Sequence, residues 1–404
     1  MRLWWAQLIS QFGDRINQMA LIGLAYELSG KQPSATGLAK ILSFTIIPVF
    51  IIGPVAGVFV DRWDRRKTLF ICDIIRGALV LTIPLVFFFW KTLIPIYCVV
   101  FLAFGCSRFS VPAKMSIIPE IVHKDHLLMA NSLMTTTGMI AFAFGCAAGG
   151  FLVEWFGARG GFFIDAATFF ISAALIITMT RDLDFRIDRQ VIIDHGKEML
   201  KIEHSFWREM KEGALYLFQK REIRLIIVIL FILLAAAGSV YVTIIVFIQE
   251  IFNSVTRHLG VLAVTLGVGL FLGTVAYGKF GKALPWHRTV FLCLLLSGAM
   301  MILFVIGISN FANVWLAFIL TLGLGVVTGP IFIESNTIVH RVADEQMHGK
   351  VFSSLEIVIH LGFMLAMLAS SFLAEFFSAA GILSAVGVVV CIVGVSGLIW
   401  YKEK

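Results

Sequence analysis

Twelve apolar stretches, each close to or above twenty residues long, occupy most of this sequence and limit its fold more than any other feature. They run at about 3–28, 35–60, 68–90, 94–116, 128–153 and 161–180, and again at about 222–250, 259–280, 289–309, 312–336, 351–374 and 380–401. A transmembrane helix needs about 20 predominantly apolar residues, so each stretch is a predicted span. Composition agrees. Hydrophobic residues make up 59% of the 404 and charged ones only 14%, with a mean hydropathy of +0.94. A soluble domain carries about a quarter charged residues, so this chain has too few to cover a water-facing surface. That excludes a secreted disulfide scaffold, a disordered protein and an ordinary soluble enzyme. The predicted class is an all-α integral membrane protein with 12 transmembrane helices.

The net charge of +7 does not point to nucleic acid, because the basic residues sit where topology wants them. Lys and Arg resist translocation and accumulate in cytoplasmic loops. With the N-terminus inside, 24 of the 32 fall on the predicted cytoplasmic side, against four (Lys31, Lys91, Arg159, Arg257) outside. Both termini are therefore expected in the cytoplasm. The first apolar stretch begins almost at Met1 and is long enough to be a span, so it does not read as a cleavable signal. Six cysteines (Cys72, Cys98, Cys106, Cys146, Cys293, Cys391) lie in apolar runs without C-x-x-C spacing. Neither a disulfide framework nor a metal site is supported, and no cofactor is expected.

The two sets of six stretches read as copies. Gly53-Pro-Val-Ala56 recurs as Gly273-Thr-Val-Ala276, Gly105 and Pro112 recur as Gly323 and Pro330, and Phe151-Leu-Val-Glu-Trp-Phe156 recurs as Phe372-Leu-Ala-Glu-Phe-Phe377. The offset stays near 220 residues. The predicted organisation is a six-helix bundle over 1–180, a cytoplasmic linker over 181–221 and a second six-helix bundle over 222–404. An even number of spans per copy gives both the same orientation, a plan used by transporters that rock about a central site. Within the linker, Phe206, Met210, Leu217 and Phe218 share a face apart from most of the charges, which predicts an amphipathic helix at the inner interface.

The loop after the second span reads Gly57-Val-Phe-Val-Asp61-Arg62-Trp-Asp-Arg65-Arg66-Lys67. It resembles the G-x-x-x-D-R-x-G-R-R/K loop of the major facilitator superfamily, with Asp64 where that pattern has Gly. The D-R-W-D-R-R form is similar to the macrolide-efflux-like branch. So are Phe12-Gly13-Asp14, Pro112-Ala113, Ile118-Pro-Glu-Ile-Val122, Ile164-Asp165-Ala166-Ala167 and Gly349-Lys-Val-Phe352. Pro112-Ala-Lys114 and Ala130-Asn131 also resemble lysophospholipid transporters, a neighbouring branch. The resemblance implies two six-helix pseudo-repeats and a cytoplasmic gate loop formed by Gly57, Asp61, Arg62, Arg65, Arg66 and Lys67. There the basic side chains pair with acids or helix ends in one state and release them in the other. The plainer alternative is a topological anchor.

Ionisable groups inside spans are costly unless paired or hydrated, so each is a candidate. Gln7, Gln11, Asp14 and Gln18 are spaced 4, 3 and 4, which makes one polar stripe on a helix. Asp14 lies about 16 Å along the first span at 1.5 Å per residue, near the midplane, where a carboxylate can hold a proton or a cationic group. The alternative is a static pair with Arg108 or another span. Asp73 and Arg76, close to the basic loop, are expected to belong to the gate network. Arg108 is read either as tuning a nearby carboxylate or as pairing with Asp73, and Asp165 as a structural cap or pair. Glu356 and His360 are one turn apart in the eleventh span. Glu356 is shallow, while His360 is deeper and titrates near neutrality when unperturbed. Glu334, near the inner end of the tenth span, completes the candidates for substrate or ion coupling.

The functional expectation is a secondary active exporter of amphipathic organic compounds, acting as a monomer in a bacterial cytoplasmic (inner) membrane. Proton antiport is favoured over sodium. The alternative is a lysophospholipid flippase with a lipid-like substrate. None of the five Gly-Lys pairs continues into the Ser/Thr of a P-loop, so nucleotide hydrolysis is unsupported. H-E-x-x-H and G-x-S-x-G are absent from the sequence, which leaves an intramembrane enzyme without support.

Overall fold

Hydrocarbon offers no partner for a backbone amide, so apolar runs of this length coil and bond to themselves. The computed structural model describes residues 2–30, 32–53, 56, 59–60, 63–90, 93–123, 127–179, 221–280, 285–342 and 348–400, and among them there is no strand. The helices are α1 (Arg2–Leu28), α2 (Ala35–Ile51), α3 (Arg65–Trp90), α4 (Leu93–Ile121) and α5 (Leu127–Ile177), then α6 (Arg221–Phe252), α7 (Arg257–Phe280), α8 (Trp286–Phe311), α9 (Val314–Val342), α10 (His348–Leu373) and α11 (Ala379–Trp400). The linker and its amphipathic segment lie outside the described residues.

The described residues thus form eleven helical elements where the sequence predicts twelve spans. The difference is Gly157. With φ 72° and ψ 172° it breaks the 51-residue α5 into two arms, a conformation that only glycine adopts cheaply. The gap between the fifth and sixth predicted spans brackets this break. Eight helices are long and apolar enough to cross a membrane by length and composition. Helix α1 is not among them, because Gln7, Gln11, Asp14, Arg15, Asn17 and Gln18 interrupt its apolar surface.

Contacts divide the chain into two compact units, Met1–Leu28 with Ile41–Glu209, and Ser29–Lys40 with Met210–Lys404. In the first unit α1 packs along α5, and α3 packs on both α4 and α5. Leu3, Ala6, Leu69, Ala113, Ile117 and Ile176 make one of its apolar cores. In the second unit the pairs are α7 with α9, α8 with α11, α6 with α10, and α8 with α9. Ile229, Leu233, Val290, Phe291, Leu294, Ile331 and Val390 form a core there. The internal pairing of one unit repeats in the other: α1 on α5 corresponds to α6 on α10, and α3 on α4 to α8 on α9.

Lipid tails are as apolar as leucine, so membrane helices associate through close packing rather than expulsion of water. The α7–α9 pair shows how far this goes. A Cβ built on Gly269 would lie 2.2 Å from the Leu322 carbonyl oxygen, and one on Gly273 would lie 2.1 Å from that of Val326. Reciprocally, Gly325 faces the Leu266 oxygen at 2.4 Å and Gly329 that of Leu270 at 2.7 Å. Two G-x-x-x-G runs therefore interlock backbone to backbone. A Cβ added to Gly53, the sequence counterpart of Gly273, would meet nothing within 4 Å among the described residues.

Candidate functional site

Helix α1 carries its polar residues because neighbouring helices supply partners at membrane depth. Gly13 is what lets α5 approach: a Cβ there would lie 1.9 Å from Thr168 Oγ1 and 2.5 Å from Asp165 Oδ1. That contact brings Asn17 of α1 onto the second arm of α5, where its Nδ2 donates to Asp165 Oδ2 at 2.6 Å. Thr168 Oγ1 donates to the Asp165 main-chain carbonyl at 2.7 Å and lies 3.4 Å from Asp165 Oδ1. One turn further, Ser172 Oγ donates to Asp73 Oδ2 at 2.6 Å. Asp165 is 0% exposed and Asp73 4%, so both acids are sealed, each held by neutral donors.

Asp14 has a different partner. Arg76 of α3 donates from Nη2 to Asp14 Oδ1 and forms an ion pair with it. The guanidinium carbon lies 4.1 Å from the centroid of the Phe169 ring, so the ring and the carboxylate share the cation. The Arg76 side chain is 9% exposed and that of Asp14 31%. Of the three acids, Asp14 is the one with access. Arg76 lies within electrostatic reach of Asp14, Asp73 and Asp165, and Lys114 of α4 within reach of Asp14, Asp73 and Arg76. The site is thus three carboxylates and two cations gathered from α1, α3, α4 and α5. The Arg76 Nε and Asn17 Oδ1 atoms are buried there without a hydrogen-bond partner among the described residues.

Several expectations change. Among the described residues Arg76 pairs with Asp14 of α1 and Asp73 accepts from Ser172 of α5, while Asp61 and Arg62 of the basic loop lie outside the described residues. The cation paired with Asp14 is Arg76 rather than Arg108, while Arg108 donates to Ser107 Oγ at 3.2 Å. Lys114, inside the stretch predicted at about 94–116, sits within the α4 span and joins the cluster. The polar stripe of α1 is divided: Gln7 is buried, Gln11 lies beside Gly138, and Gln18 accepts from Arg15 at 3.2 Å. Asn17, Thr168 and Ser172 are site residues that the sequence reading does not single out. The Asp165, Thr168, Ser172 spacing of 3 and 4 puts them on one helix face and is a readable signal.

Of the gate loop, Gly57, Asp61 and Arg62 lie outside the described residues. Arg65, Arg66 and Lys67 form the first turn of α3. Asp64, the departure from the family pattern, caps that turn: its Oδ1 accepts from the Arg66 amide at 2.9 Å and the Lys67 amide at 3.0 Å. A carboxylate there satisfies two amides left over at the helix start and suits the positive end of the helix dipole. Asp64→Ala is expected to lower stability by about 1 kcal/mol, read as an earlier thermal midpoint of the purified protein, whereas Asp64→Asn keeps the cap.

In the second unit Tyr277 of α7 donates to the Glu334 carboxylate of α9. His360 is half-buried in α10, and the Glu356 side chain lies outside what the structure describes. Glu334 and His360 belong to the second unit, whereas the acid–base cluster is built within the first. An apolar groove of about 570 Å³ between α6, α10 and α11, lined by Phe231, Ala235, Ala366, Ile382 and Ala385 among others, has no ionisable side chain in its wall.

The sequence profile of the Major Facilitator Superfamily matches residues 3–306 and 226–404. An uncharacterized MFS-type transporter of Bacillus subtilis, YkuC, is 28% identical over 87% of this chain and 79% of its own length. Macrolide efflux protein A of Streptococcus pyogenes is 23% identical over 69% of this chain and 66% of its own length. Among solved structures, a bacterial homologue of the iron transporter ferroportin in an inward-facing state superposes with a TM-score of 0.73 at 14% identity, covering 98% of both chains; at that identity the likeness concerns the fold. The family and these relatives are transporters rather than enzymes. With its all-helical spans, repeated pairings and family-wide match, this chain belongs to the Major Facilitator Superfamily and is a multi-pass membrane transporter.

Proposed function

We propose that the protein is a proton-coupled exporter of amphipathic organic compounds in a bacterial cytoplasmic membrane, with both termini in the cytoplasm and the chain working as a monomer. The observation that carries this reading is the ion pair between Arg76 and Asp14, an acid whose side chain keeps 31% exposure. The Asp14–Arg76 contact joins α1 to α3 through one carboxylate and one guanidinium, so its strength depends on whether Asp14 carries a proton. Asp14 is the acid that a proton can reach, because the Asp73 and Asp165 carboxylates are closed off by their neighbours. Protonating Asp14 removes the charge that holds Arg76 on α1 and so loosens α1 from α3. A pair that opens and closes with one proton is a two-state element of the kind that transport by alternating access requires. The gate loop, with Arg65, Arg66 and Lys67 at the start of the same helix α3, is placed to feel that change.

Efflux is favoured over uptake by the likeness to macrolide efflux protein A. The test is transport of a panel of labelled amphipaths by the purified protein in proteoliposomes, under an imposed pH gradient or an imposed sodium gradient. Uphill movement that follows the pH gradient alone is expected. Movement driven only by sodium would replace the proton with sodium as the balancing cation, and movement driven by neither would end the coupled-transport reading.

A further inference from the structure

Arg15 is a cation at membrane depth that the site above does not use. It follows Asp14 directly, yet one residue turns a helix by about 100°, so the two side chains leave α1 in different directions. Asp14 goes to Arg76. Arg15 crosses the first arm of α5, where Gly145 makes room for it: a Cβ at that glycine would lie 2.8 Å from Arg15 Cβ. Its guanidinium lies 5.1 Å from the centroid of the Phe142 ring, and its Nη1 donates to Gln18 Oε1 at 3.2 Å. Among the described residues those are its polar and ring partners, and none is a carboxylate.

Contrast with Arg76 gives this meaning. Both guanidinium groups lie by an aromatic ring, but Arg76 also has an acid and, among the described residues, Arg15 does not. A guanidinium has five N–H donors in a flat fork, and Gln18 takes one. The rest suit a carboxylate or phosphate, which the fork binds in two-pronged fashion. Intramembrane charges are retained where they meet water, a partner or a ligand. Beside Arg15 on the same face of α1 lies Gln11, and opposite it Gly138, where an added Cβ would meet only the Gln11 Oε1 atom, at 3.5 Å, among the described residues. Gln11 and Arg15, with Gln18 accepting from Arg15, therefore line a face with donors and an aromatic wall, and among the described residues there is space beside Gly138.

We propose that Arg15, with Gln11 and Gln18, binds the anionic group of an amphipathic substrate, a phosphate or carboxylate, while Phe142 contacts its apolar part. This rests on the reading of the chain as a transporter of amphipaths and adds the sign of the substrate's charge. It also divides labour on α1: Asp14 couples, and Arg15 selects.

The experiment is binding to purified protein in phosphatidylcholine nanodiscs, which needs no transport and so stands apart from the coupling claim. The probes are dodecyl phosphate, dodecyltrimethylammonium and dodecyl maltoside, which share a chain and differ in head charge. Wild-type protein is expected to bind dodecyl phosphate about tenfold or more tighter than the other two, as hydrogen bonds to a charged group imply. Arg15→Gln should bring the three within about twofold, and Arg15→Lys should keep part of the preference. Competition by lysophosphatidylglycerol would assign the site to a lipid, and competition by a naphthoate to a non-lipid organic acid. Wild-type protein without a preference for the anion would overturn the proposal, as would an Arg15→Gln protein that keeps it. If Arg15→Gln does not fold, the wild-type comparison still decides.

Discussion

Gly273→Leu is expected to leave almost no folded protein. The backbone of α9 already occupies the position of a side chain at Gly273, with the Val326 oxygen 2.1 Å from a Cβ, and the same holds one turn away at Gly269. No rotamer relieves such a contact, because the obstacle is the first carbon and the neighbour is main chain. The helices must separate, and separation forfeits the dense packing that is their chief attraction in lipid. Gly325 and Gly329 then lose their reciprocal contacts as well. Gly278, on the same helix, has open space around it among the described residues. Gly278→Ala is therefore expected to be neutral or to stabilise by up to about 1 kcal/mol through helix propensity. Yields of monodisperse protein after detergent extraction compare the two. Normal recovery of Gly273→Leu would mean that the α7–α9 seam is looser than described.

Much of the architecture is legible in the sequence because membrane helices are written in length and hydrophobicity. The apolar stretches predict the helices, and the seven residues between the fifth and sixth stretches contain the Gly157 break. The site is less legible. Periodicity places Gln7, Gln11, Asp14 and Gln18 on one face of α1, but it does not say which helix that face meets. Arg108 and Arg76 are equally available in sequence as partners for Asp14, and packing chooses Arg76. Asp73 and Arg76 follow the gate loop closely along the chain, which suggests a role there, yet at 1.5 Å per residue the helix carries them about 12 Å and about 16 Å from its start at Arg65. Asp64 departs from the family pattern; as an N-cap it is a local solution that the pattern does not contain. The Gly13 contact with Asp165 stays hidden because sequence shows a small residue but not its neighbour.

The Asp14–Arg76 pair gives the second large effect, in function rather than folding. Arg76→Gln leaves Asp14 without its ion-pair partner, with Lys114 within reach and two further carboxyl groups nearby. Losing one member of a fully buried pair costs about 3–5 kcal/mol; here about 2–3 is expected, because the Asp14 side chain keeps 31% exposure. Asp14→Asn leaves the Arg76 guanidinium the Phe169 ring and the other two acids, so it should be better tolerated. The double variant Asp14→Asn/Arg76→Gln removes both charges and should recover most of the stability lost in Arg76→Gln. It should not recover uphill transport. Stability and coupling are thus predicted to separate within one mutant cycle, followed by thermal unfolding on one side and proteoliposome flux on the other. A merely structural pair would restore both together.

The most direct test of proton coupling at Asp14 is proton movement itself. Wild-type protein and Asp14→Asn are reconstituted into proteoliposomes with a pH-sensitive dye trapped inside, and a transported amphipath is added down its own gradient. Wild-type protein is expected to move protons in the opposite direction as the compound crosses. Asp14→Asn is expected to let the compound move down its gradient with no proton signal, and Asp14→Glu to restore part of it. Substrate-dependent proton flux of wild-type size in Asp14→Asn would contradict the account and move the coupling role to Glu334 or His360.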